Sequence, residues 1–158
     1  MQLWRLCGSR YLATAFSGMG GMYAARRWNE KGNLIVYTAT SRALAAMEYF
    51  VNLEPNQAPS DLVMLEASIP DVHIEQLDPG KLPRNWYEID NWECRAIGTE
   101  WLKSRRSVGL KVPSVPVRGD WNVLLNPSHP EFHQVQIATQ EPFFYDERMF
   151  QQRPAGHL

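Results

Sequence analysis

The sequence predicts an α+β fold: one domain, a mixed β-sheet core and few helices. Short β-branched or aromatic runs recur along the chain, each bounded by Gly, Pro, Asn or Ser. Only two segments carry helical periodicity behind a capping residue. The length, 158 residues, suits one core, and a chain of this size buries roughly 68–70% of its unfolded surface. We assign the domain to residues 1–150 and a tail to 151–158.

Gln2–Cys7 alternates like a strand, and GSRYLATAFSGMGGM (8–22) follows as a long loop without a sustained period. Loops of that length in compact domains are usually functional or disordered. Asn33–Thr38 reads as a buried strand. Ser41 offers an N-cap, and Leu44, Met47 and Val51 share a helical face up to about Glu54, where Pro55 and Pro59 close the helix. Asp61–Ile69 is a nearly continuous apolar run, as a central strand would be, with His73–Leu77 extending or pairing with it after Pro70. Asp90 or Asn91 caps a second helix whose Cys94, Ile97 and Trp101 share a face, running to about Ser104 despite Gly98. Val108–Val112, Trp121–Leu125 and Gln134–Thr139 then read as strands between Pro- and Gly-containing turns, and the last eight residues read as frayed.

Sixteen basic and seventeen acidic side chains leave a net charge of -1, no long-range field for nucleic acid or anionic lipid. Locally, Arg5, Arg10, Arg26 and Arg27 all precede the first acidic residue, Glu30, so that end suits an anion. Two cysteines are too few for a disulfide framework and fit a reducing cytoplasm. Arg5 and Arg10 interrupt the apolar core a secretory signal needs; an acid-poor start could instead mimic a mitochondrial transit peptide, although QLWRLC alternates like a strand. No window reaches the roughly 18 apolar residues of a membrane helix.

Glu48 falls on or beside the core-facing stripe of its helix. A carboxylate there either pairs with a cation, serves in chemistry, or sits at the stripe's edge and reaches water. Arg27 follows the glycine-rich loop in RWN, a short segment with strand character, where its planar fork suits phosphate or carboxylate; the alternative is an exposed arginine over Trp28. Tyr37, near the end of its strand, either lines a cleft or is a core tyrosine with a bonded hydroxyl. Ser114 and Asn122 flank prolines or strand ends, where turn chemistry explains them equally well. Ser114 lacks a nucleophile-elbow context. His129 and His133 are four apart, but Pro127 and Pro130 argue against a helix there, no Glu follows the first His and no Cys pair exists, so no metal is expected. GMGGMYAARR lacks the phosphate-loop lysine and the third glycine of a dinucleotide fingerprint.

Taken together, RWNEKG (27–32), VYTATSRALAAMEYF (36–50), VPS (112–114), NVLLNPSHPEF (122–132) and PFFYDERMF (142–150) resemble the RES family, toxins of bacterial Xre-RES toxin–antitoxin modules. The resemblance implies a fold like that of ADP-ribosyltransferase toxins and consumption of NAD+ by phosphorolysis, hydrolysis or ADP-ribose transfer. It also implies inhibition by an Xre-type antitoxin with a helix-turn-helix domain. Matched by position, Arg27, Tyr37 and Glu48 correspond to the family's catalytic arginine, tyrosine and glutamate. Arg5, Ser114 and Asn122 correspond to further polar positions for the dinucleotide. Where the family commonly has Gly-Gly before Arg-Trp-Asn, this chain has Ala25-Arg26. The implied chemistry suits these residues: pyrophosphate for Arg27, a cationic nicotinamide for the ring of Tyr37 or Trp28, and a carboxylate for an oxocarbenium-like sugar. A non-enzymatic module holding a nucleotide or a partner in the same cleft is the alternative.

Overall fold

The computed structural model describes residues 1–54 and 58–151. Among the described residues seven strands form one sheet in the order β4-β5-β6-β2-β1-β3-β7. They are β1 (Gln2–Gly8), β2 (Val36–Ala39), β3 (Leu62–Ser68), β4 (Ile74–Gln76), β5 (Gly109–Pro113), β6 (Trp121–Leu125) and β7 (Gln136–Phe143). Among the described residues three α-helices accompany them: the one-turn α1 (Gly20–Tyr23), α2 (Arg42–Phe50) and α3 (Trp92–Ser104). The α+β class, mixed sheet and two substantial helices are as the sequence predicts.

The sheet is nearly two sheets. β1 pairs with β3 along its whole length, Gln2↔Ser68 to Gly8↔Leu62, and β2 pairs with β6 from Val36↔Leu125 to Ala39↔Asn122. Between β1 and β2 the register holds one pair, Trp4↔Ala39. The halves β4-β5-β6-β2 and β1-β3-β7 therefore diverge from that point, leaving strand backbone for side chains to satisfy.

Alternation assigns the faces. Trp4, Leu6, Ala39, Leu62 and Met64 pack with α2 around Leu44 and Ala45. Tyr37, Leu110, Val112 and Leu124 pack with α3 around Cys94, Trp101 and Leu102. Both helices thus cover one face, side by side. Leu3, Val36, Ile69, Val123 and Leu125 form the other face, under Phe16 and Phe132. Trp101 is fully buried, and its indole N–H donates to Ser107 Oγ at 2.9 Å, so its burial leaves no donor unpaired.

Several expectations need correction. β4 does not extend or pair with β3; it joins the far edge, parallel to β5 (Ile74↔Gly109). Pro70 and a 3-10 turn at Asp71–His73 break the chain away from β3, and α3 supplies the crossover that a parallel pair requires. The 8–22 loop contains a 3-10 helix (Ser9–Thr14) and α1. Helix α2 ends at Phe50, short of Glu54; Pro55 and residues 152–158, hence most of the tail, lie outside the described residues. Of the two caps the sequence offers for α3, the structure uses Asn91, whose side chain accepts from Cys94 N at 2.9 Å.

Candidate active site

Ser41 accepts from Leu44 N at 3.1 Å and starts α2 at a fixed point after β2. Leu44 is buried on the sheet, and Glu48, one turn on, follows it onto the same side. There the carboxylate meets two neutral donors: Ser114 Oγ–H at 2.8 Å and Asn122 Nδ2–H at 2.5 Å, both to Oε1. Among the described residues Glu48 has no cation partner, and Oε2 accepts from no side chain. The acid points inward and is held without being neutralised.

Register explains the donors. Asn122 stands opposite both Ala39 of β2 and Val112 of β5, on the helix-covered face. Ser114 is the next residue on that face beyond Val112, fixed by its N–H to Asp120 O at 2.9 Å. Asn122 Oδ1 is buried with no partner, an acceptor left over beside the carboxylate.

Tyr37 lies on the same face, diagonal to Asn122 and so about 7–8 Å away at the backbone. Its hydroxyl donates to Asn29 Oδ1 at 2.7 Å and accepts from Trp28 N at 3.2 Å. Burial pushes the phenol above its ordinary range, against the smaller opposing pull of the Trp28 N–H, Arg26 and Arg27. Tyr37 thus acts on the RWN segment through hydrogen bonds. That segment is a tight turn, not a strand: Arg26 N donates to Asn29 O at 3.0 Å, with Arg27 and Trp28 at the corner. Fully buried Asn29 donates to Ala24 O and Glu30 O, both at 3.1 Å. Helix α3 holds the other side. Thr99 Oγ1 accepts from Glu30 N at 2.9 Å, and a Cβ on Gly98 would run into the Trp28 carbonyl. The glycine exists for this close approach.

Arg27 projects from the turn. Nη1 donates to the carbonyls of Trp86 at 2.6 Å and Glu88 at 2.9 Å, and Nη2 to Tyr87 O at 3.4 Å. These occupy the end of the guanidinium; its Nε side has no partner among the described residues, and neither does the charge have a carboxylate. A cation oriented by carbonyls with one edge unused suits an anion.

Arg5 alternates away from Trp4 and Leu6, then donates through Nη1 to the carbonyl of Tyr37 at 2.8 Å. This supplies a donor to a strand carbonyl next to the divergence of β1 from β2. Burial lowers its basicity, and Nε is buried without a partner. Trp28, one of the two rings expected to face nicotinamide, is 2% exposed and belongs to the α3 cluster, because Gly98 draws its backbone against the helix.

The RES domain family matches residues 2–146. The chain belongs to the RES domain family. "Toxin Res" of Yersinia enterocolitica is 37% identical over 152 residues, spanning 94% of this chain and 99% of that protein. The "Prs ADP-ribosylating toxin" of Sphingobium sp. is 36% identical, spanning 92% of this chain and 94% of the relative. In fold, this RES chain is similar to a chain of the MbcT–MbcA toxin–antitoxin complex of M. tuberculosis, with a TM-score of 0.68 over 90% of this chain and 84% of that one, at 17% identity.

The RES fold thus gathers Glu48, Ser114 and Asn122 directly, and links Arg27 to Tyr37 through Trp28 and Asn29. Sequence reasoning missed Asn29, Thr99 and the Trp86–Glu88 segment. Gly98 was the available signal: a glycine inside a helix marks a close approach. Among the described residues no three His, Cys, Asp or Glu side chains are placed to share a metal ion, and no helix is long and apolar enough to cross a membrane.

Proposed function

We propose that this protein is the toxin of a toxin–antitoxin module and that it consumes NAD+ by cleaving the nicotinamide–ribose bond. The observation that carries the reading is Glu48, turned inward, fixed at one oxygen by Ser114 and Asn122 and left open at the other. A carboxylate with no cation beside it keeps its full field for a cation that forms during reaction. The names of the relatives support the class, one being called an ADP-ribosylating toxin.

The free edge of Arg27 binds the pyrophosphate, and Arg5, with its unsatisfied Nε, adds positive potential at the split between β1 and β2. The C–N bond to nicotinamide breaks with its electron pair leaving on the nicotinamide nitrogen, so no general acid is needed. Positive charge develops at C1′ and O4′ of the ribose, where Glu48 stabilises it and accepts a ribose hydroxyl. The acceptor then forms the new bond at C1′ with its own electron pair, cancelling the positive charge there, and an acceptor that carries a proton on the attacking atom releases it to solvent. Water, phosphate and a protein nucleophile give different products, which mass spectrometry with and without phosphate distinguishes. Tyr37 serves as a positioning residue for Arg27. An Xre-type antitoxin with a helix-turn-helix domain restrains the activity in the cytoplasm, as family membership suggests.

The purified chain is expected to release nicotinamide from NAD+, with Glu48→Gln and Arg27→Ala inactive. Calorimetry showing bound NAD+ that stays intact over hours would instead establish a non-enzymatic binding module.

A further inference from the structure

The loop after β5 reaches across to the segment that holds Arg27. It starts at Ser114, on Glu48, and Val117 N donates back to Ser114 Oγ at 3.2 Å while the Val117 side chain packs in the α2 cluster. Gly119, at φ +95°, then reverses the chain, so Arg118 stands between two fixed points. Its guanidinium lies 4.4 Å from the ring centre of Tyr87 and 5.1 Å from that of Trp86. Those residues, with Glu88, supply the three carbonyls that orient Arg27. An arginine on an exposed aromatic ring is ordinary in itself. Here the same two residues carry an arginine on their rings and another on their carbonyls.

We infer that Arg118 is a positioning residue: by stacking on Trp86 and Tyr87 it fixes the carbonyls that aim Arg27, and so ties the arginine side of the cleft to the Glu48 side. The inference rests on the proposed NAD+ site for its kinetic consequence, but not for its structural one. Arg118 makes no ion pair among the described residues, so its charge is free for the rings.

Two measurements on the full chain test this. In steady-state turnover of NAD+, Arg118→Ala is expected to raise KM about 3- to 10-fold, the range of a partly exposed cation–π contact, with kcat changed less than about two-fold. Tyr87→Leu should do the same, the double variant should be no worse than either single one, and Tyr87→Phe, which keeps the ring, should recover most of what Tyr87→Leu loses. An unchanged KM in Arg118→Ala, or single effects that multiply in the double variant, overturns the inference. In amide hydrogen exchange without ligand, Arg118→Ala should accelerate exchange across residues 85–90 several-fold relative to the wild type. Unaltered exchange there overturns the positioning role whatever the kinetics. Accelerated exchange in a protein inert toward NAD+ overturns the functional reading alone.

Discussion

Glu48 sits where a helix would ordinarily bury an apolar side chain, and its surroundings explain how it survives there. Two neutral donors satisfy one oxygen without cancelling the charge. Glu48→Gln keeps the shape and removes the charge, so nicotinamide release should fall at least about 100-fold, while calorimetric affinity for ADP-ribose changes little. Ser114→Ala removes one of the two donors and should lower kcat about 10-fold, checked in the same assay. Tyr37→Phe leaves the Asn29 Oδ1 and Trp28 N–H without their partner in a buried turn. Stability should drop by about 1–3 kcal/mol, measured by urea unfolding, and KM for NAD+ should rise because Arg27 loses its foundation.

At the scale of elements, the RWN turn is held from three directions: β2 through Tyr37, α3 through Gly98 and Thr99, and its own Asn29. The packing of α3 on that turn leaves no room for a side chain at position 98. Gly98→Ala improves helix propensity by about 1 kcal/mol yet forces the helix off the Trp28 carbonyl, and overpacking of this kind costs about 1–3 kcal/mol or more. The expected outcome is a lowered Tm together with weakened NAD+ binding; an unchanged or higher Tm would show that the contact yields. A surface helix position would respond the opposite way.

Across the whole molecule, the single pair Trp4↔Ala39 joins two half-sheets, and the candidate site spans the half carrying β2, β5 and β6 and the helices that cover it. Arg5 supplies hydrogen bonding where the ladder lapses. Burial raises the phenols of both Tyr37, on the α3 side, and Tyr145, in the α2 cluster, above the ordinary value near 10. The unfolded chain therefore ionises first as pH climbs. The stability linked to these two groups is intact below about pH 10 and is lost progressively above it. Circular dichroism melts should show a Tm steady through neutral pH and falling above about 10, with Tyr145→Phe reducing the slope.

The sequence by itself determined the α+β class, the Ser41 cap of α2, the choice of Asp90 or Asn91 for α3 and a periodicity that puts Glu48 on or beside the inward stripe, because propensity, capping and periodicity are local. It also carried the family blocks that single out Arg27, Tyr37 and Glu48. Tertiary structure decided what those residues touch: Ser114 and Asn122 on Glu48, Asn29 on Tyr37, backbone carbonyls on Arg27, and the core around Trp28. These partners are separated by up to 74 positions, and strand register, which also placed β4 beside β5 rather than β3, is what closes such distances. Register emerges from the packing of the complete sheet, so no window of sequence contains it.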